Sequence, residues 1–247
     1  MDEFRTPATS APRRRFTVAV LLLAATMLGT VAVTTSGCSK KAANVDPKAT
    51  FAASITAMKA LTSLHVTYEV KRPANAKPVQ GLDIVGLTGD LTADGKMQAT
   101  IDVQQNGIPL QLEFISVPPT QYLKDPVSGK WQSVPASASP VGTLNVSAGV
   151  AQILDRVTGA KYVGTESRNG VETYRFTGGV KGADVAGIVR TVDPTASFTV
   201  DLWIGVDDHY VHSVEMVGAA AAGEDAKTVR SINLSKFNEP VDIKPPT

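Results

Sequence analysis

From Leu64 onward the chain alternates. Leu64, Val66, Tyr68 and Val70 are interleaved with His65, Thr67, Glu69 and Lys71, the period of two expected of a strand with one buried face. The same period returns in Val85, Leu87, Gly89 and Leu91, in Met97, Ala99, Ile101 and Val103, and in Ile108, Leu110, Leu112 and Phe114. Ala93-Asp94-Gly95-Lys96 and Gln105-Asn106-Gly107 separate these runs, and Asn-Gly is a strong hairpin signal. An antiparallel meander follows. Ahead of it, Asp46 and Pro47 supply an N-cap and a first-turn proline. Phe51, Ala52, Ile55 and Met58 share one stripe of a helix predicted over 47–61.

Prolines at 118, 119, 126, 135 and 140 break up residues 117–142, leaving short strand candidates around Tyr122 and Trp131. Val146, Val150, Ile153, Leu154 and Val157 then fall on one side of a helix over 146–158. Arg168-Asn169-Gly170 joins strands at 161–166 and 171–177. The cluster Gly178-Gly179-Val180-Lys181-Gly182 lacks the spacing of a phosphate loop and reads as a flexible strand exit. Val185, Ile188, Val189 and Val192 predict another short helix, stopped by Asp193-Pro194. Phe198, Val200, Leu202, Ile204 and Val206 alternate again, turning at Asp207-Asp208 into a strand over 210–217. A last strand near 227–237 precedes Pro240.

The sum is roughly nine or ten strands with three helices, an α+β single domain without solenoid repeats. Most strands keep one polar face, as in an antiparallel sheet wet on one side. Three helices cover little of so long a sheet. Either the sheet curls on itself, or its apolar face lines something other than protein. Trp203 stands opposite the register of Leu202 and Ile204, which places it in packing on the sheet's outer face.

The N-terminus changes the picture. Arg13, Arg14 and Arg15 precede an apolar run from Phe16 to Val33, and Thr35-Ser36-Gly37-Cys38 follows. That order is an export signal. Cys38 is the chain's one cysteine, placed where a lipobox cysteine receives its diacylglyceryl group. Thr35 replaces the usual lipobox aliphatic. The organisation is therefore a signal peptide over 1–37, a polar tether over 38–46 and a domain over 47–247. A plain secretory signal and an uncleaved helix are the alternatives, since about 18 apolar residues can span a bilayer. The arginines before the run leave Sec and twin-arginine export undecided.

The signal carries a net charge of +2 within a chain of +1, so the remaining 210 residues stand at −1. Such a domain has no electrostatic case for nucleic acid. With Cys38 committed to lipid, no disulfide is available, and stability must come from burial. No Gly-x-Ser-x-Gly elbow occurs, and the three histidines, His65, His209 and His212, read as exposed surface. Asp207, Asp208 and His209 read as turn chemistry, not a metal site. No catalytic residue, metal or cofactor is expected, and the chain is not read as an enzyme.

Several segments, in order, carry a resemblance: Ser36-Gly37-Cys38; the stretch from Met58 to Val66; Leu87 to Thr92; Ala148 to Leu154; Gly164-Thr165-Glu166 with Asn169-Gly170-Val171; Leu202-Trp203-Ile204; Asp208-His209; and Leu234 to Val241. Together they resemble the mycobacterial LppX/LprG lipoprotein family, which also includes LprA and LprF. Phe237 stands where that family often has Trp, and residues 115–145 match poorly.

The resemblance implies a strongly curved antiparallel sheet, a half-barrel, with helices on its concave face enclosing an apolar cavity. It also implies a monomer, held at the outer face of the inner membrane through Cys38. There it would carry acylated lipids or glycolipids across the periplasm to the outer envelope, with a membrane lipid transporter as a candidate partner. Burial is worth about 0.8 kcal/mol per methylene, so a 16-carbon tail resists leaving a bilayer by about 12 kcal/mol. Hydrogen bonds of about 1 kcal/mol each cannot offset that. An apolar lining can. On the assumption that the alternating faces point inward, the strands supply Val85, Leu87, Leu91, Met97, Ala99, Ile101, Val103, Leu110, Leu112, Phe114, Phe198, Val200, Leu202 and Ile204. The helix over 146–158 adds Val150, Ile153, Leu154 and Val157. The alternative is an anchored adaptor with a solid core that binds an envelope protein through a sheet edge or segment 117–142. A hydrolase of acyl lipids lacks its nucleophile motif.

Overall fold

A computed structural model describes residues 45–77, 81–135, 137, 139, 146–189 and 192–247. The export signal, Cys38 and the tether up to residue 44 lie outside them. Helix α1 runs over Pro47–Lys59, started as expected by Asp46, whose Oδ1 accepts the Lys48 N–H at 3.1 Å. Strands β1 (Ser63–Lys71), β2 (Leu82–Thr92), β3 (Met97–Gln105), β4 (Ile108–Val117), β5 (Thr120–Lys124) and β6 (Trp131–Val134) follow as a meander. Helix α2 (Val146–Arg156) leads to β7 (Thr158–Arg168) and β8 (Val171–Lys181), then to a single-turn helix α3 (Gly182–Val185). The chain closes with β9 (Ser197–Gly205), β10 (Val211–Val217) and β11 (Val229–Ser235).

All eleven strands form one open antiparallel sheet, in the order β6-β5-β4-β3-β2-β1-β11-β10-β9-β8-β7. Hairpin neighbours account for nearly every pairing. Asn106 and Gly107, and Asn169 and Gly170, all have positive φ, as the two-residue turns of right-twisted hairpins require. The first strand and the last are the exception. Seven register pairs join them, from His65 opposite Ser235 to Lys71 opposite Val229. This ladder makes one sheet of two meanders.

On one face, Phe51 of α1 meets Phe176 of β8 edge-on, ring centroids 5.0 Å apart, with Tyr162 against the same ring. Val150, Ile153 and Leu154 of α2 join that cluster, along with buried residues of both meanders. Trp203 lies on the other face, as expected. Its ring is buried against the guanidinium of Arg168, at 4.2 Å, and that of Arg175, at 5.1 Å. Its Nε1 donates to Glu166.

Some expectations are corrected. The short candidates around Tyr122 and Trp131 are true strands, so the count is eleven. The helix expected near 185–192 is the turn Gly182–Val185 instead. A Cβ on Gly182 would lie 1.9 Å from the Asp193 carbonyl oxygen, so the returning chain crosses there. Gly178 and Gly179 are not a strand exit. They pair with Val200 and Thr199 inside β8, and Gly178 makes room for Val157, whose Cγ1 would lie 2.6 Å from a Cβ. The register of β10 shifts at His212, which is buried against Phe237 with Nε2 3.0 Å from Asp208 Oδ2. His65 is half-buried, its Nδ1 2.6 Å from Asp90 Oδ1. His209 is exposed, as expected. The ladder of edge strand β7 is interrupted twice, between Thr158 and Lys161 and between Tyr162 and Gly164.

A buried ionic cluster closes one end of the β1–β11 ladder. Arg230 belongs to the core-facing row of β11, where its Nη2 donates to both carboxylate oxygens of Glu224, at 2.6 and 2.7 Å. Arg72 spans Glu224 and Asp83, at 3.1 and 2.8 Å. Burial pushes the Tyr68 phenol up to about 12, with Arg230 opposing, so it stays neutral. Burial also pushes the Glu224 carboxyl up, yet hydrogen bonds from Arg230, the Ala220 N–H and Arg72 prevail and hold it below its ordinary 4.5. Because the folded value is depressed, this contribution to stability is complete above about pH 4.5 and is lost as pH falls through the folded value. Glu224→Gln should therefore cost about 3–5 kcal/mol in urea unfolding at neutral pH, since two arginines lose a buried partner. The gap from the native protein should shrink as pH falls below 4.5.

Candidate functional site

At the opposite end of the strands, α1 stops and β1 begins. The turn between them, together with α2 and the β2–β3 hairpin, borders a half-open cleft of about 600 Å³. Met58, Leu61, Leu64, Leu91, Met97 and Ala151 form its apolar wall and belong to, or border, the buried core. Lys59, Lys96, Gln152, Asp155 and Arg156 form its polar rim. Lys59 and Arg156 sit in the last turns of α1 and α2, where cations meet the negative end of each helix dipole. Lys96 pairs with Asp94 at 2.9 Å and Arg156 with Asp155 at 3.3 Å. The cleft is thus apolar within and charged at the lip. Among the described residues, no group of three or more His, Cys, Asp or Glu is placed to hold a metal.

Most of the expected lining shares the core face. Leu87, Leu91, Met97, Ala99, Ile101, Val103, Leu112 and Phe114 are buried there, with Val150, Ile153, Leu154, Phe198, Val200, Leu202 and Ile204. Val157 is half-buried against the same cluster. Two residues depart. Val85 sits at a bulge where β2 slips register, and Ile84 packs against the core in its stead. Leu110 holds the inward register opposite Val103 but is 40% exposed, beside Leu82 at 48% and Ile108 at 64%.

Of the expected set, only Leu91 and Met97 border the cleft. Ile101, Ile153, Val200, Leu202 and Ile204 show no exposure at all, packed against other side chains. Met58, Leu61, Leu64 and Ala151 line the cleft although none belongs to the lining expected from the strand faces and the α2 stripe. The available signal was small: Ala148 and Ala151 on α2, flanking a glycine. Gly149 brings α2 against the turn after α3, where a Cβ would lie 2.4 Å from Ile188 Cγ2.

The family model described as LppX_LprAFG lipoprotein matches residues 46–243, nearly all of the described fold. The chain belongs to that family. Among relatives in this family, lipoarabinomannan carrier protein LprG of Mycobacterium leprae is 29% identical over 246 residues, covering 95% of this chain and 96% of LprG. The crystal structure of LprF from Mycobacterium bovis superposes with a TM-score of 0.66 at 20% identity, covering 81% of this chain and 96% of LprF. That of LppX from Mycobacterium tuberculosis gives 0.56 at 20% identity, covering 80% and 98%. The LppX_LprAFG resemblance seen in the residues is thus shown, and the sheet is that of LprF and LppX. These names are of a carrier and of lipoproteins, not of enzymes.

The tight helix contact is testable. Gly149→Ala should cost about 1–3 kcal/mol by overpacking Ile188. Gly164→Ala, with nothing within 4 Å of the added Cβ, should stay within about 0.5 kcal/mol. Urea unfolding of the two variants checks the contrast.

Proposed function

We propose that this member of the LppX_LprAFG family is a non-enzymatic carrier of acylated lipids or glycolipids, moving them across the periplasm towards the outer envelope. In this reading residues 1–37 are a cleaved export signal, and Cys38 is lipidated and holds the protein to the outer face of the inner membrane. The tether 38–46 joins it to a monomeric lipid-binding domain. A membrane lipid transporter is a suitable donor.

One observation carries the reading: the 600 Å³ cleft, whose wall runs without interruption into the apolar core. Its size is within the range of about 300–1,000 Å³ usual for small-molecule sites. The naming of LprG as a lipoarabinomannan carrier supports it. Beyond the cleft, Ile101, Ile153, Val200, Leu202 and Ile204 are fully buried. Burial worth about 0.8 kcal/mol per methylene drives an acyl tail into the cleft.

Full-length protein from a mycobacterial host, extracted with organic solvent, should yield acyl lipid detectable by mass spectrometry. Ala151→Trp, which fills the cleft wall, should lower the recovered lipid by about tenfold, equivalent to about 1.4 kcal/mol, with the fold intact by circular dichroism. Cys38→Ala should move the protein from the membrane to the soluble fraction. If no acyl lipid co-purifies, and none is taken up from palmitoyl-lipid vesicles, the carrier reading falls and the solid-core adaptor replaces it.

A further inference from the structure

The sheet face turned away from the helices carries a second concavity, unrelated to the cleft. Thr67 and Glu69 of β1 alternate with core residues and so point to this face, as do Thr88, Asp102, Gln104 and Asn233. These six residues border a groove of about 810 Å³, walled by Pro73, Ala76 and Lys77 of the loop that follows β1. The register explains the hollow. Gly86 stands between Glu69 and Asp102 in one cross-strand row, and Thr88 and Thr67 lead to Asn233 in the next. With no side chain at Gly86, the floor drops. A Cβ there would lie 2.9 Å from Asp102 Oδ2, so the carboxylate leans across the gap. The bulge at Val85 bends β2 at the same point, and bulges and strand glycines mark places where a ligand can approach the backbone.

The chemistry of the walls selects a ligand class. Glu69 and Asp102 are balanced by Lys71 on Glu69 and by Lys77 and Arg72 in the lining, so no net charge selects an ion of either sign. Val85 at the bulge also borders the groove. Tyr68, Val70 and Leu87 belong to the core-facing rows, so the outward side chains are mostly polar and offer an acyl tail little apolar surface. Among the described residues, no three metal-ligating side chains gather. What the groove offers is hydrogen bonding in both directions: carboxylate acceptors, amides, and threonine hydroxyls that accept or donate. Much of this capacity is free. Glu69 meets Lys71 at 3.0 Å and Asp102 accepts from Gln111 at 2.9 Å, both near the surface. Among the described residues, the Thr67 and Thr88 hydroxyls and the Gln104 amide have no protein partner.

We propose that this groove, centred on Gly86 between Glu69 and Asp102, binds a neutral, hydroxyl-rich saccharide. The site goes beyond the carrier reading and does not depend on it, since it shares no residue with the cleft. The sugar comes either from a free glycan or from the head of a glycolipid.

The test uses detergent-purified full-length protein on an array of neutral oligosaccharides of mannose, glucose, galactose and arabinose, with calorimetry on those that bind. At least one neutral oligosaccharide should bind. Asp102→Asn and Thr88→Val should each weaken it, the former by about tenfold for one charge-assisted hydrogen bond. Gly86→Leu, which fills the floor, should abolish it. Both Asp102→Asn and Thr88→Val alter solvent-facing groups, so they keep the test open should Gly86→Leu fail to fold. Ala151→Trp should leave saccharide binding unchanged while lowering acyl-lipid recovery, which separates failure of this site from failure of the carrier reading. Glycolipid vesicles bearing the same sugar form the second arm. Capture that survives Ala151→Trp but not Asp102→Asn assigns the head of a glycolipid as a source, and binding of the soluble sugar alone assigns a free glycan. The proposal is overturned if no neutral saccharide binds, if charged sugars bind better, or if binding is indifferent to the groove changes.

Discussion

The β1–β11 ladder is the constraint on which the rest of the structure depends. Every other strand pairing is between neighbours in sequence. Only this one joins the beginning of the described chain to its end. Polar contacts tie off both of its ends. At one, Asn238 accepts the Thr62 N–H at 2.9 Å and Ser63 donates to the Glu239 carbonyl oxygen. At the other, Arg72, Asp83, Glu224 and Arg230 neutralise one another in the interior. Without the ladder, each meander would expose its own apolar edge, and α1, α2 and the strands beneath them would have no common face to cover.

Much of this fold is legible residue by residue. Alternation marks nearly every strand, and Asn-Gly pairs mark two hairpins, because turn chemistry and the pleat are local. Asp46-Pro47 announces α1 for the same reason. What is not legible is non-local. The bulge that turns Val85 out and Ile84 in arises from pairing with β3, and no alternation within β2 reveals it. A register slip against β9 likewise buries His212. The four members of the ionic cluster span Arg72 to Arg230 and read singly as ordinary surface charges. The cleft depends on where α1 ends relative to α2, which a pattern of stripes leaves open.

The two faces of the sheet divide the chemistry. One holds the core and, where the helices stop, an oily cleft with a charged rim. The other is a polar surface whose rows of hydroxyl, amide and carboxylate groups cross strand after strand. An apolar chain and a sugar would therefore meet different walls of the same eleven strands. Their separation follows from the period of two in each strand, with no need for a second domain.

The two breaks in the ladder of β7 have a consequence for the company this protein keeps. An open sheet ends in unpaired amides and carbonyls, a template that invites an identical molecule to add itself alongside. On β7 that template is irregular near Thr158 and again near Val163, and Lys161, Glu166 and Arg168 add charge along it. On the far border β6 is only four residues long. Neither rim offers a straight run for self-templating. Edge-to-edge addition of one copy to another is thus disfavoured at both rims.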